Sequence, residues 1–146
     1  MLKPLEQWIC DVCGDVIESP EQGYVIWRSD EQYSDFSFKV IHQKKCDISE
    51  FPSSAAVEDF LGEAGLNYLL SFLSIGRIKI LLGQHSGGSI KDMHEFVDFF
   101  RRMQTPYYEE ARTKFSNHDL LEWFSDSNEV YPYQTEVLKK IISGSY

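Results

Sequence analysis

The fold of this chain depends on two short segments, 8-WICDVCGD-15 and 38-FKVIHQKKC-46. The first segment holds a C-x2-C pair, and the second ends in H-x3-C. Thiolate and imidazole groups are donors that Zn²⁺ favours, and structural zinc sites combine four of them in a tetrahedron. The spacing therefore predicts one structural zinc ion bound by Cys10, Cys13, His42 and Cys46, a set that uses all 3 cysteines of the chain.

Three other interpretations of these residues stay open. A C-x2-C pair is also typical of thioredoxin-like redox proteins, although those place the pair in a βαβ unit and not before a hairpin. Alternatively, the pair is incidental and Cys46 is a buried core residue. In the third arrangement, Asp47 or His85 takes the place of His42 as the fourth ligand.

The residues between the two cysteine-containing segments predict a β-hairpin. Residues 24–28 form a β-rich run, and residues 36–42 begin with the apolar and polar alternation of a half-buried strand. A polar stretch, residues 29–35, separates them. The hairpin therefore brings His42, at the end of its second strand, back toward the first cysteine pair.

Residues 51–146 have the pattern of helices, so the expected fold class is α+β. We expect a zinc-stapled β-hairpin over residues 1–50, packed on a C-terminal bundle of about four or five helices with which it shares one core. Ser53 or Ser54 is the predicted N-cap of the first helix, residues 62–65 should interrupt that helix, and residues 78–82 fit a strand or a helix. The predicted core residues are Trp8, Val25, Trp27, Phe38, Val40, Phe60, Leu69, Phe72, Phe96 and Phe100.

Composition and charge narrow the classes of function. The chain has 146 residues and a net charge of −9, with an acidic excess in both halves. Phosphate backbones bind clustered lysine and arginine, so general affinity for nucleic acid is disfavoured, whereas a basic protein partner suits an acidic surface. No apolar run reaches the roughly 18 residues of a membrane span, and no signal peptide is recognisable, so we expect a cytoplasmic protein.

No G-x-S-x-G, H-E-x-x-H, metal-dependent phosphatase or Walker-loop pattern is present, so the leading hypothesis is a non-enzymatic protein-interaction or regulatory module, in bacterial regulation or defence. A nucleic-acid-associated regulator is the first alternative, with Arg28, Lys39, Lys44 and Lys45 as a basic patch. A zinc-dependent hydrolase is the second, and it requires an open position on the metal. Two surface clusters have no assigned role beyond exposed ion pairs and core packing: Arg101 with Arg102, and Tyr131 with Tyr133.

Five stretches in one order also carry a resemblance: WICDVCG at 8–14, GYV at 23–25, FKVIH at 38–42, DFLG at 59–62 and PYYEEAR at 106–112. The series resembles small uncharacterised bacterial proteins with an N-terminal zinc-knuckle hairpin and a helical C-terminal region. One ligand pair before the hairpin and one after it is also similar to zinc ribbons and treble clefs. The resemblance implies the four zinc ligands and the α+β layout, and it implies no activity.

Overall fold

The computed structural model describes residues 1–146 and has an α+β fold with two small sheets and six α-helices. The strands are β1 Trp8–Ile9, β2 Val16–Ile17, β3 Gly23–Ser29, β4 Asp35–His42 and β5 Ser53–Ala56. The helices are α1 Gly62–Ser71, α2 Arg77–Leu81, α3 Met93–Gln104, α4 Tyr108–Arg112, α5 His118–Trp123 and α6 Thr135–Ser143. None of these helices has the length and apolar character needed to cross a bilayer.

The larger sheet contains the predicted hairpin. Strands β3 and β4 pair antiparallel with Val25 opposite Val40 and Gly23 opposite His42, and the order across the sheet is β4-β3-β5. The two-residue strands β1 and β2 form a separate antiparallel pair, with Trp8 opposite Ile17. His42 therefore lies at the end of β4, as the alternation of the sequence predicts.

The prediction of a helix beginning at Ser53 or Ser54 is wrong. Residues 53–56 are strand β5, which pairs with the free edge of β3 so that Ser53 lies opposite Trp27. Serine and alanine have little preference for strands, and the unpaired backbone groups along β3 override that preference. The glycine-rich stretch after Leu61 does not interrupt a helix either, because α1 begins at Gly62.

The segment that fits a strand or a helix by sequence is helical in the structure. It forms α2, a helix of 5 residues that contains no buried residue. The helix follows Gly76, which has a φ of 85° and turns the chain sharply after α1. Helix α2 therefore lies at the surface, outside the core.

The main hydrophobic cluster lies between the three-stranded sheet and helices α1 and α3. It contains 17 buried residues, and aromatic rings are in contact across it, with the ring centroids of Phe38 and Phe99 4.9 Å apart. Of the predicted core residues, all but Phe100 are buried, and Phe100 packs partly buried against the cluster. A second cluster of 6 buried residues joins α4, α5 and α6.

Candidate metal centre

The structure brings the four predicted ligands together. The donor atoms of Cys10, Cys13, His42 and Cys46 all lie within 4.8 Å of one another. The Nδ1 atom of His42 is 3.4 Å from the Cys13 Sγ and 3.8 Å from the Cys46 Sγ. Tetrahedral Zn²⁺ with ordinary Zn–N and Zn–S bonds places nitrogen and sulfur donors about 3.6 Å apart, so the arrangement can hold a metal ion of that size.

A second contact orients the imidazole of His42. Its Nε2 atom lies 3.1 Å from the carbonyl oxygen of Val16 in β2. A carbonyl can only accept, so this contact requires the proton on Nε2 and leaves the lone pair of Nδ1 directed at the cysteines. Metal-binding histidines commonly have such a partner on the other ring nitrogen, because it fixes both the tautomer and the ring orientation.

Backbone hydrogen bonds shape the turn that carries the C-x2-C pair. Within it, the amide of Gly14 donates to the carbonyl of Cys10 at 3.0 Å, and the amide of Val12 lies 3.4 Å from the Cys10 Sγ. Gly14 has a φ of 80°, and no atom within 4 Å would meet a Cβ there. Glycine is therefore favoured at this position by the backbone conformation and not by lack of space.

The turn between the other two predicted ligands, His42 and Cys46, is closed by a backbone hydrogen bond. The amide of Cys46 donates to the carbonyl of His42 at 3.4 Å. Between them, Lys44 adopts a left-handed conformation with a φ of 65°, which is uncommon for a residue with a Cβ atom. Both Lys44 and Lys45 are exposed, so this strained turn carries two cations past the metal site.

The three thiols differ in burial and in acidity. Cys10 and Cys46 are buried, whereas Cys13 is exposed. Burial opposes ionisation of Cys10, but hydrogen bonds from the Cys13 and Val12 amides and from His42 outweigh it and lower the pKa of Cys10 to about 6. Burial and the neighbouring Cys10 and Cys13 raise the pKa of Cys46 to about 11. A cation between the three sulfurs would remove this mutual repulsion, since thiolates bind metal only when deprotonated.

Next to the metal centre lies a buried ion cluster that sequence reasoning missed. The side chain of Arg102 is only 3 % exposed, and its Nε and Nη2 atoms donate to Glu109 at 2.6 and 2.8 Å. Its Nη1 atom donates to the carboxylate of Asp11 at 2.7 Å. Burial alone would lower the pKa of Arg102, but the two carboxylates raise it, so the guanidinium stays charged.

This ion cluster holds the cysteine turn against the large sheet. Glu109 also accepts from the amide of Ile9 at 2.9 Å, directly before the first ligand. The carboxylate of Asp11 accepts from the amide of Val40 at 2.7 Å, and the Asp11 amide donates to the Val40 carbonyl at 2.8 Å. Because Val40 precedes His42 by two residues on β4, these bonds fix the distance between the two halves of the site.

The sequence contains one signal for this cluster. Helix α3 buries Phe96, Phe99 and Met103 at the spacing of one helical face, and Arg102 lies at the border of that face. An arginine on an apolar face needs a buried acidic partner, and in the structure Glu109 of the next helix provides it. The expectation that Arg102 makes an exposed ion pair is therefore wrong, because it pairs with Glu109 while both side chains are buried.

The two alternative ligands lie outside the group of four donors, and two of the four residues of the proposed basic patch make other contacts. Neither Asp47 nor His85 belongs to the group of four donors. The cations of Arg28 and Lys39 lie over the ring of Phe51, 5.7 and 5.9 Å from its centroid. They are therefore partly engaged in packing, which leaves the two lysines of the 42–46 turn as the freely exposed cations beside the site.

Comparison with known proteins adds no assignment: no protein-family model matches the chain, and no curated protein or solved structure matches it significantly.

Proposed function

We propose that the four-donor group binds a structural Zn²⁺ and that the protein is a non-enzymatic protein-interaction module. Three thiolates and one imidazole form a complete tetrahedral set, which leaves no coordination position for a catalytic water. The Nε2 contact of His42 and the hydrogen bonds to the cysteine turn support a site arranged in advance for the ion. Cysteines that serve as metal ligands instead of forming disulfides are typical of a reducing compartment such as the cytoplasm.

Metal analysis tests the zinc site directly. We expect one Zn²⁺ per chain and, after replacement by Co²⁺, the absorption bands of a tetrahedral thiolate site. Cys13→Ser and His42→Ala should each weaken zinc binding strongly, and His85→Ala is the matched control because His85 lies outside the group. Protein that contains no metal and keeps its fold in the presence of a strong chelator would contradict the zinc proposal.

The observation that carries the interaction role is a cleft in the C-terminal part of the chain. The cleft has a volume of about 420 Å³ and opens between α5, the turn before α6, and α6. Its apolar lining residues are Phe115, Leu120, Leu121, Phe124, Pro132, Tyr133 and Ile141. Trp123 and Tyr131, beside it in sequence, are 60 % and 41 % exposed. An apolar cleft and exposed aromatic side chains in the same segment are typical of the residues that carry binding energy at interfaces.

The charge of the surrounding segment indicates the chemistry of the partner. Residues 119–136 contain 5 acidic residues and no lysine or arginine. Of the acidic residues, Glu129 lines the cleft itself. A basic amphipathic segment of another protein would be complementary if it placed apolar side chains in the cleft and cations beside the acidic 119–136 segment, on the side away from Arg101, which lies over the Tyr133 ring.

Binding of a defined peptide tests this role. The probe is a synthetic amphipathic helix of lysine and leucine, and the signal is the fluorescence of Trp123, because Trp8 and Trp27 are buried. We expect saturable binding by the wild-type protein and at least tenfold weaker binding by Leu121→Glu. The matched control is Tyr33→Ala, which changes an aromatic residue that is 86 % exposed in the hairpin loop. Equal binding by all three proteins would contradict a role for the cleft.

The same variants identify the natural class of partner. Tagged protein is used to capture partners from a lysate of its host, with and without nuclease. A partner that resists nuclease, is lost with Leu121→Glu and is kept with Tyr33→Ala supports the protein-interaction role. Capture that nuclease abolishes, and that Lys44→Glu with Lys45→Glu also abolishes, would instead favour the nucleic-acid alternative.

A further inference from the structure

Helices α1 and α2 carry a group of exposed apolar residues that do not line the cleft. On α1 and the turn after it, Leu66, Leu70 and Leu73 recur at the spacing of one helical face and are 38, 46 and 36 % exposed. Further along the chain, four aliphatic residues of α2 and its C-terminal end are also exposed: Ile78, Ile80, Leu81 and Leu82, by 76, 48, 72 and 68 %. We call these seven residues the α1–α2 patch.

Helix α2 has neither the length nor the packing that usually stabilise a helix. It has 5 residues and no buried side chain, and helices this short are unstable in water without packing. The segment that carries it is closed at its base, where Gly88 lies so near Ser74 that a Cβ would come within 2.5 Å of the backbone. The chain therefore presents α2 as a defined projection with its apolar side chains in solvent.

We propose that the α1–α2 patch is the interface between two copies of this chain. The seven large aliphatic side chains, each 36–76 % exposed, would supply the apolar part of a standard interface, which buries ~800 Å² on each partner. Monomeric proteins rarely leave so large an apolar patch in solvent. A symmetric pair would cover both patches at once and would supply the packing that α2 lacks.

The charges around the patch are complementary to a second copy of it. Glu63 is exposed in the first turn of α1, on the face that continues to Leu66 and Leu70. Arg77 and Lys79 are exposed beyond the other end of α1, on α2. A twofold axis that sets two α1 helices antiparallel therefore brings the acidic end of each patch to the basic end of the other.

The mass of the protein in solution tests this interface, measured by light scattering during size-exclusion chromatography at about 100 μM protein. We expect the wild type to have twice its chain mass of 17.0 kDa and Leu70→Glu with Leu81→Glu to be monomeric. The matched control is Leu121→Glu, which places the same charge on a leucine that is 54 % exposed outside the patch. This control should stay dimeric while losing the peptide binding described above, so the two proposals fail independently.

Charge exchange provides a test that does not perturb the apolar residues. Glu63→Arg and Arg77→Glu should each weaken the dimer several-fold, and the double variant should restore it, because both side chains are exposed and the exchange preserves the pairing. A monomeric wild type, a dimer that persists in Leu70→Glu with Leu81→Glu, or a double variant no tighter than the singles would overturn the proposal. Binding of the monomer to vesicles with anionic lipid would assign the patch to a membrane surface and would overturn it as well.

Discussion

Replacement of Arg102 by methionine removes the only positive charge from the buried ion cluster. Glu109 is then left 6 % exposed and without its two charge-assisted hydrogen bonds. Loss of one partner from a buried ion pair costs about 3–5 kcal/mol, because the remaining charge cannot return to water. Proteins of this size are stable by only about 5–15 kcal/mol, so Arg102→Met should remove at least about a fifth of the stability and lower Tm by about 6–20 °C.

A double-mutant cycle separates the charge effect from the loss of packing. Glu109→Gln keeps an acceptor for the Ile9 amide and is neutral, so it should recover about 2 kcal/mol when added to Arg102→Met. The matched control is Arg101→Met, which changes the neighbouring arginine. Its guanidinium lies 3.7 Å from the centroid of the Tyr133 ring and is partly exposed, so its loss should cost about 1 kcal/mol or less.

Urea unfolding in a fixed excess of zinc measures these differences, with tryptophan fluorescence as the signal. Zinc affinity, measured by competition with a chelator, should also fall about 10–100-fold in Arg102→Met, because the ion cluster positions the cysteine turn. A cost below about 1 kcal/mol for Arg102→Met, or a double variant no more stable than Arg102→Met alone, would contradict a stabilising role of the Arg102–Glu109 charge pair.

Three further substitutions test local features of the fold. Gly65→Ala should destabilise the protein by about 2–3 kcal/mol in urea unfolding, since a Cβ there would lie 2.0 Å from the backbone of Phe60; a cost below 0.5 kcal/mol would show that α1 moves freely. Lys44→Asn should raise the free energy of unfolding by about 0.5–1 kcal/mol, because asparagine tolerates the left-handed conformation at that position. Lys45→Asn should leave the stability unchanged, and equal effects of the two substitutions would argue against strain in the turn. Asp98 has a pKa below its usual value in the folded protein, so it contributes stability that is present above about pH 4 and is lost as pH falls further. Asp98→Asn should therefore flatten the acid limb of the stability profile, and an unchanged limb would exclude this contribution.

The group of four donors could be predicted because its signal is local. A C-x2-C turn and an H-x3-C turn each place two donors together by chain geometry, and one hairpin is enough to bring the pairs into contact. The alternation before His42 predicts that hairpin correctly, since Phe38 and Val40 are buried and Ser37 and Lys39 between them are less so. The spacing of the donors within each turn, and the two-residue alternation of apolar and polar side chains along β4, were therefore enough to predict the four donors.

The remaining features depend on contacts that the local pattern does not contain. Strand β5 has the sequence Ser-Ser-Ala-Ala, and only the open edge of β3 makes it a strand. Arg102 was missed for another reason than β5. Hydrophobic periodicity counts only apolar residues, so it does not register a charged residue on the buried face. Its role becomes visible only when Glu109 and Asp11, 7 residues later and 91 residues earlier in the chain, lie beside it.

The small sheet explains why one site needs two kinds of support. Strands β1 and β2 have 2 residues each, too few to be stable as an isolated hairpin. Zinc would connect the turn at their end to β4 and to Cys46, and the Arg102 cluster connects the strand before that turn to α3 and α4. The ion cluster holds the backbone on both sides of Cys10, through Ile9 and Asp11, whereas a metal ion would hold the donor side chains themselves. The ion cluster therefore belongs to the metal centre as a positioning element, although none of its members is among the four proposed ligands.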